Sequence, residues 1–550
     1  MGFDLLALAH HHGADYDRLA EKSIDTLVLA RLVDPPMSKG MPNGYYSLDE
    51  TAKRLGHVGK TDDIKGLAKK HGGFDRIPLD DPEYHAYLEG DLEATRAVYE
   101  GLTTEDLTPY ARREMRIVAL QNRMTLNGWA VDEGLLKERT GAEDAKRAAA
   151  VKTLHEEYDV PLAKPDRVRY LPKKEWPEDM RRMTLTAAKE LSEEWAIDRG
   201  IAERIPGEVY VSPWATDAGR AALEAAFRAA GAPTWPKTAS GQLALSSDAL
   251  GEAPWYDGKK SRPGMLQIHG DKPEVRRLVE TITLATGART KYAEISKFVT
   301  DRGRVHAWIG DAQGSGRWAM TKPSLTNMGK RGAAGEERGV MVADPGHVLL
   351  TCDLSQVDMR AMAGMSQDPA YMALFAPGRD AHMEMAEVYF GRRTPETRQE
   401  TKAFNHAGNY GQGARAVSER TGIPLEKCYA IQEAKAEAYP RLIEYIEEIR
   451  ERAARGELLD NGFGRLMRPD PERAHTQAPA LVGQGAARDI MCESLLRLVD
   501  RGLAGGVDVR PFLRGVVHDE VVLSVPEAEV DVWRQELEGA FTWEWRGVPI

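Results

Sequence analysis

Asp353-Leu354-Ser355-Gln356-Val357-Asp358 and, far downstream, His518-Asp519-Glu520 decide how this chain is read. The first run follows His347-Val348-Leu349-Leu350-Thr351-Cys352, a short apolar stretch after the turn Asp344-Pro345-Gly346. That pattern predicts a buried strand delivering Asp353 at its tip. The second run lies between Val516-Val517 and Val521-Val522-Leu523, the pattern of a hairpin with polar residues at its turn. Carboxylates gathered at strand tips suit a pair of divalent cations, whose hard charge prefers carboxylate oxygens. A single Asp at a strand end serves equally well as a turn or cap residue. Two such runs with matching neighbours are poorly explained that way.

Between the two runs, residues 370 to 455 read as mostly helical, with Pro395 and Gly422-Ile423-Pro424 marking helix boundaries. Arg398, Lys402, His406 and Tyr410 recur every four residues, so on a helix each drifts by only about 40° and all share roughly one face. Facing a nucleotide, Arg398 would meet phosphate with a planar fork. Lys402 would meet it as a compact charge able to protonate a departing pyrophosphate, and Tyr410 would stack on a base. A solvated basic face with a core tyrosine has the same spacing.

The whole-chain composition sets bounds. At 550 residues the chain is long enough for about two to four domains. Cys352, Cys428 and Cys492 are widely separated, which argues against a disulfide framework and a cysteine zinc site and suits a reducing cytoplasm. The start, Met1-Gly2-Phe3-Asp4 and then a short apolar stretch to His10-His11-His12, lacks the features of a signal peptide. No apolar run is long enough to span a bilayer, so no membrane partner is expected. The net charge of -11 argues against a nucleic-acid partner for the chain as a whole. Locally the balance reverses. Residues 285 to 332 hold nine Lys or Arg, Arg317 among them, against Glu294, Asp301 and Asp311, directly upstream of the first carboxylate run.

Residues 1 to about 105 read as an α/β-like unit closing with a helix over Tyr84 to Leu102. From Thr108 through Tyr158 apolar residues recur at helical spacing, interrupted by the turn Asn127-Gly128. Helix is expected to dominate to about residue 298, with 161 to 180 and 231 to 264, rich in Pro, Lys, Gly and Ser, read as loops.

Carboxylates, then a cationic helix, then carboxylates, in this order, resemble the three polymerase motifs of the family A DNA polymerases, the DNA polymerase I family. Asp353 to Met365 resembles the first motif. Arg398, Lys402 and Tyr410-Gly411 match the spacing of the second, and Val517-His518-Asp519-Glu520 resembles the third. Asp380-Ala381-His382, followed by Met385-Ala386 and Phe390-Gly391, resembles the segment whose His contacts nucleotide phosphate. Ser315-Gly316-Arg317 with Pro323, Leu325 and Asn327 resembles the primer-template tract. Gln484-Gly485-Ala486-Ala487-Arg488-Asp489-Ile490 resembles a template-contacting helix, and Pro236-Lys237-Thr238 through Ser246-Ser247 a thumb signature. The resemblance covers roughly residue 107 to the C-terminus.

The resemblance implies an α+β, multidomain, right-hand fold: a palm with an antiparallel sheet, helical fingers and a helical thumb, preceded by a partial RNase H-like α/β exonuclease domain. The corresponding spans are exonuclease-like 1–106, thumb 107–298, palm 299–370 and 470–550, and fingers 371–469. It implies two Mg²⁺ ions, with Mn²⁺ a possible substitute, on Asp353, Asp519 and the Leu354 carbonyl, with Glu520 as a supporting carboxylate. His382, Arg398, Lys402, His406, Tyr410, Gln356 and Asp358 would bind the deoxynucleoside triphosphate. Arg317, Asn327, Gln484 and His518 would bind primer-template DNA. No processivity factor is legible.

Departures from the pattern sharpen the reading. Asp358 stands where the family usually has Glu against a ribose 2′-hydroxyl, and His406 where it has Phe or Tyr facing the sugar, so looser sugar discrimination is expected. Tyr87 and Asp91 resemble the last motif of a 3′–5′ proofreading exonuclease and the stretch His12 to Asp17 its middle one, but no Asp-x-Glu precedes Asp17. Proofreading is therefore expected to be absent, and both ends read as short by family standards. A single-subunit RNA polymerase would share the palm and a similar helix; His-Asp-Glu and the Arg317 tract favour DNA synthesis. A catalytically impaired primer-template binding protein is the non-enzyme alternative.

Overall fold

In the computed structural model, Leu513–Val517 is buried at every position and pairs antiparallel with Glu520–Pro526, which in turn pairs antiparallel with His347–Asp353. The structure describes residues 2, 4–37, 41–57, 64–103, 107–238, 240–256, 261–287, 291–311, 314–328, 335–408 and 413–550, without the side chains of residues 256, 261, 406–408 and 420. The architecture is α+β. The chain divides into two compact units, Met1–Leu136 with Glu294–Ile550, and Lys137–Ala293.

In the first unit the three-stranded sheet packs against the helices Pro109–Asn127 and Val530–Phe541, and the long helix Ala474–Ala504 packs on Val530–Phe541, Val357–Ser366 and Pro440–Ala454. The middle of this long helix is apolar or small nearly all round, from Leu481 and Val482 through Ala486 and Ile490 to Leu495 and Leu498, all buried. A helix so largely apolar along its middle is stable only when most of its surface is covered. A second sheet sets Trp129–Val131 between Arg304–Val305 and Met341–Val342. The expected turn Asn127-Gly128 joins it to the helix Pro109–Asn127. There Asn127 Nδ2 donates to the carbonyls of Arg510 (2.8 Å) and Leu513 (2.7 Å), tying this helix to the central sheet.

The strand over His347 to Asp353 is present but not buried as expected. It is the edge of its sheet, and its residues are half-buried or exposed, Leu349 at 37%. An apolar run identifies a strand, but whether both faces are covered depends on neighbours distant in sequence. The hairpin turn at His518-Asp519 lies where the alternation placed it. The described residues among 370 to 455 are mostly helical as expected, with a helix starting at Pro395 and a break at Gly422 to Pro424.

Residues 1 to 106 depart from the α/β expectation: their described residues form helices and contain no strand. Asp15, Asp25, Ser47 and Asp81 each cap a helix by accepting from backbone N–H groups two or three residues on. The buried pairs Tyr16 and Ala20, and Ala94 and Val98, are four apart, a helical period rather than a strand one. The helix expected over Tyr84 to Leu102 is Pro82–Leu102, entered through Asp81 and Pro82.

The second unit is built on Leu154, Leu223, Phe227, Leu243, Leu250, Leu278 and Ile282, with a smaller core around Trp176, Ala196 and Ile201. The stretch 161 to 180, read as loop, contains the strand Arg167–Tyr170 paired antiparallel with Ala202–Ile205. Val168 and Tyr170 pack on the Trp176 core while Arg167 and Arg169 face out, so the alternation is real. It is too short to be recognised without its distant partner. Likewise 231 to 264 holds the helix Ser247–Leu250 and the pair Trp255–Tyr256 with Ser261–Arg262.

Gly128 takes φ +61°, and a Cβ there would lie 2.8 Å from the Val305 carbonyl oxygen. Gly128→Ala is expected to lower stability by about 2 kcal/mol, measured by denaturant unfolding.

Candidate active site

Register is the first determinant of the site. Asp353, last residue of its strand, stands opposite Glu520, first residue of the strand Glu520–Pro526. The hairpin before Glu520 turns through His518, which adopts φ +58°. One residue past Asp353, the buried Leu354 donates its N–H to the Asp519 carbonyl at 2.9 Å, sewing the first carboxylate run to the second. Gln356 then takes φ +56° and opens the helix Val357–Ser366, whose first turn carries Asp358.

A cation bridges the two runs. Arg317 Nη2 donates to Asp358 Oδ1 at 3.0 Å and reaches Asp519 Oδ1 at 3.5 Å. Arg338 Nη1 lies 3.4 Å from Glu520 Oε2. Arg317, Asn327, His518 and Asp519 line one cleft of about 330 Å³. Gln484 faces a second cleft together with Gln477, Ser315 and Arg465. Among the described residues no three His, Cys, Asp or Glu side chains form a group able to hold a metal by themselves.

The cationic helix is Pro395–Gly408. Thr397, Thr401, Phe404 and Asn405 are buried, and the helix packs on Ala381–Phe390, which leaves the Arg398 and Lys402 side towards solvent. Arg398 Nε donates to Asp380 Oδ2 at 2.7 Å, and Asp380 also caps the helix Ala381–Phe390 by accepting from the Met383 N–H. Partial burial would raise the Asp380 carboxyl, but these two hydrogen bonds hold it below the usual carboxylate range. His382 is only 6% exposed, and its Nδ1 has no hydrogen-bond partner among the described residues. Burial, with Arg398 and Lys402 nearby outweighing Asp380, lowers its pKa to about 4, so it is neutral at physiological pH. The backbone at His406 continues the helix; its side chain, with Tyr410 and Gly411, lies outside the described residues. Met385 of the helix Ala381–Phe390 shares a core with Met359 and Met362 beside Asp358.

The three N-terminal candidates are not gathered into one site. Asp17 pairs with Arg123 (3.4 Å) and Arg510 (3.6 Å) on a helix packed against Pro109–Asn127. Tyr87 and Asp91 lie on Pro82–Leu102, which packs on Thr26–Val33 and Leu48–Arg54.

Sequence reasoning missed a buried ion network behind the first cleft, in which Glu114, Asp311 and Asp489 meet Arg113, Arg465 and Arg488. Burial would raise the Asp489 carboxyl, yet Arg488, Arg113 and Arg465 hold it well below the usual range. The available signal was Arg488-Asp489 inside the small and apolar run from Gly485 to Ile490, since adjacent opposite charges in a covered helix imply buried partners.

Residues 261–549 match the family model of DNA polymerase family A. The chain belongs to that family. It is 23% identical to the DNA polymerase of Mycobacterium phage D29, over 97% of this chain and 78% of that protein. The polymerase of Mycobacterium phage L5 is also 23% identical, over 96% and 77%. The thermostable DNA polymerase I of Thermus aquaticus is 30% identical over 44% of this chain and 30% of its own length. Among solved structures, the POL domain of Pol1 from M. smegmatis, in complex with DNA primer-template and dNTP, shares the fold. Its TM-score is 0.63 at 20% identity, covering 96% of this chain and 79% of that one. The chain is thus a phage-like DNA-directed DNA polymerase.

The depressed pKa of His382 has a definite sign. Below pH 6.5 the unfolded chain takes up a proton that the polymerase does not, so this residue's contribution to stability is intact above 6.5 and lost as pH falls towards 4. Unfolding curves of wild type and His382→Gln are expected to lie closest near pH 7 and to shift in the variant's favour as pH falls to 4.

Proposed function

We propose that Asp353 and Asp519 hold the two Mg²⁺ ions of the polymerase centre, with the Leu354 carbonyl as a backbone ligand and Glu520 as a supporting carboxylate. The donor set fits. Magnesium takes one or two carboxylates and completes its shell with water and substrate phosphates, so an open carboxylate pair suits it better than a closed cage. Mn²⁺ would accept the same oxygens. Bound there, the ions would supply a Lewis acid for the primer 3′-hydroxyl and counter-charge for the pyrophosphate.

The observation that carries this reading is the Arg317 bridge between Asp358 and Asp519, in a cleft also lined by Asn327 and His518. It links the first carboxylate run, the third motif and the primer-template tract. On this reading Arg317, Asn327, His518 and Gln484 contact primer-template DNA. The triphosphate of the incoming deoxynucleotide lies against His382, Arg398 and Lys402. Asp380 engages only Nε of Arg398, leaving its outer nitrogens as a fork for phosphate. Lys402 is exposed and placed to give a proton to the departing pyrophosphate. Tyr410 would stack on the base, and Gln356, Asp358 and His406 would surround the sugar. The palm, fingers and thumb follow the spans given above.

Neither Asp17, tied to two arginines, nor Tyr87 and Asp91 on a separate helix is assigned a proofreading role. No described helix is long and apolar enough to cross a membrane. The cytoplasm of a bacterium or phage-infected host is the compartment this reading implies.

Primer extension with Mg²⁺ tests the proposal. Asp353→Asn and Asp519→Asn are each expected to slow extension by on the order of a thousandfold while still shifting primer-template DNA in a gel. Extension at the wild-type rate by either variant would rule out its carboxylate as a metal ligand. Asp358→Glu, one methylene longer against the sugar, is expected to raise the preference for deoxynucleotides over ribonucleotides. An unchanged ratio would remove Asp358 from sugar selection.

A further inference from the structure

The side chain of Arg488 is 3% exposed, and its guanidinium is saturated. Nε donates to the Gly316 carbonyl at 3.2 Å. Nη1 donates to Glu114 Oε1 and Asp489 Oδ1, both at 2.6 Å. Nη2 donates to Glu114 Oε2 at 2.8 Å and Asp311 Oδ1 at 3.5 Å. An arginine has five N–H groups, and all five are spoken for.

Four of these bonds anchor the side chain to carboxylates; the fifth is aimed at one peptide. That peptide is held from the other side as well. Gly316 takes φ +79°, and a Cβ on it would sit 2.5 Å from Cζ of Arg465, which is itself fixed by Glu114 (3.3 Å) and Asp311 (2.8 Å). The next residue is Arg317, the bridge between Asp358 and Asp519. The main chain before Arg317 is thus clamped between two buried guanidinium groups, and the helix carrying Arg488 carries Gln484 one turn earlier.

We propose that Arg488 is a positioning residue for nucleotide transfer: through the Gly316 carbonyl it sets the main chain from which Arg317 reaches Asp358 and Asp519. This rests on the role given to Arg317 under the proposed function. Stability alone is a weak reason for such a cluster, because buried ion networks are often replaceable by apolar side chains without loss. Geometry is the better reason. Lysine keeps the charge, but its three donors radiate from one atom and cannot span Gly316, Glu114 and Asp311 together.

The test is a double-mutant cycle in the full chain, reading single-nucleotide incorporation at saturating dNTP, KM for dNTP and the thermal midpoint. Arg488→Lys is expected to lower kcat by about tenfold and to change KM by less than about twofold. In an Arg317→Ala background the same substitution is expected to cost less than about twofold, since the group it positions is already gone. An equal loss in both backgrounds would overturn the proposal and leave Arg488 a structural residue. Arg317→Ala alone reports on the underlying reading, and wild-type kcat in that variant would overturn both. If Arg488→Lys does not fold, Asp311→Asn, at a side chain 21% exposed that pairs with both arginines, goes through the same cycle with the same two outcomes.

Discussion

The antiparallel ladder between His347–Asp353 and Glu520–Pro526 is the constraint on which the rest of the site depends. Its register sets Asp353 opposite Glu520, and the Leu354 N–H extends the pairing to the Asp519 carbonyl. Side chains alternate faces along a strand, so a slip of one residue would turn Asp353 away from its partners. The pairing is held by burial of the neighbouring strand Leu513–Val517 and by Asn127, which grips the Arg510 and Leu513 carbonyls at the entry to that strand. Leu349, on the edge strand, is left partly exposed. Hydrogen bonding to Glu520–Pro526, the buried central strand of the sheet, is enough to place the carboxylates.

Charge is arranged in three depths around that ladder. In the open cleft Arg317 and Arg338 stand against Asp358, Asp519 and Glu520, all partly exposed, so that solvent can compete for each partner. At the cationic helix the Arg398 and Asp380 pair is half-exposed, and next to it His382 is kept neutral by burial. Along the floor of both clefts the network of Arg113, Arg465 and Arg488 with Glu114, Asp311 and Asp489 pairs each charge in a largely buried setting. Removing one member there would strand its partner without solvent, which is why rigidity is concentrated in that layer and exchangeable contacts in the first.

Much of the scaffold that carries the candidate site was legible in the sequence. The turn residues before His347, the alternation around His518-Asp519 and the four-residue spacing from Arg398 are local signals, and the matching strands and helix are present. The N-terminal region misled because short apolar stretches do not distinguish a strand from a helix, and the caps at Asp15, Asp25, Ser47 and Asp81 settled it as helix. The strand Arg167–Tyr170 was missed because its partner Ala202–Ile205 is far along the chain.

The sequence by itself determined which residue types stand at strand tips and helix faces, because periodicity and turn chemistry act over a few residues. Motif order was enough to suggest the polymerase family. Only the tertiary structure decided that Arg317 bridges Asp358 and Asp519, that Arg488 grips Gly316, and that Asp17 is spent on Arg123 and Arg510. Those pairings join residues distant in sequence, and burial and electrostatics between such residues are set by how the elements pack, which no local pattern encodes.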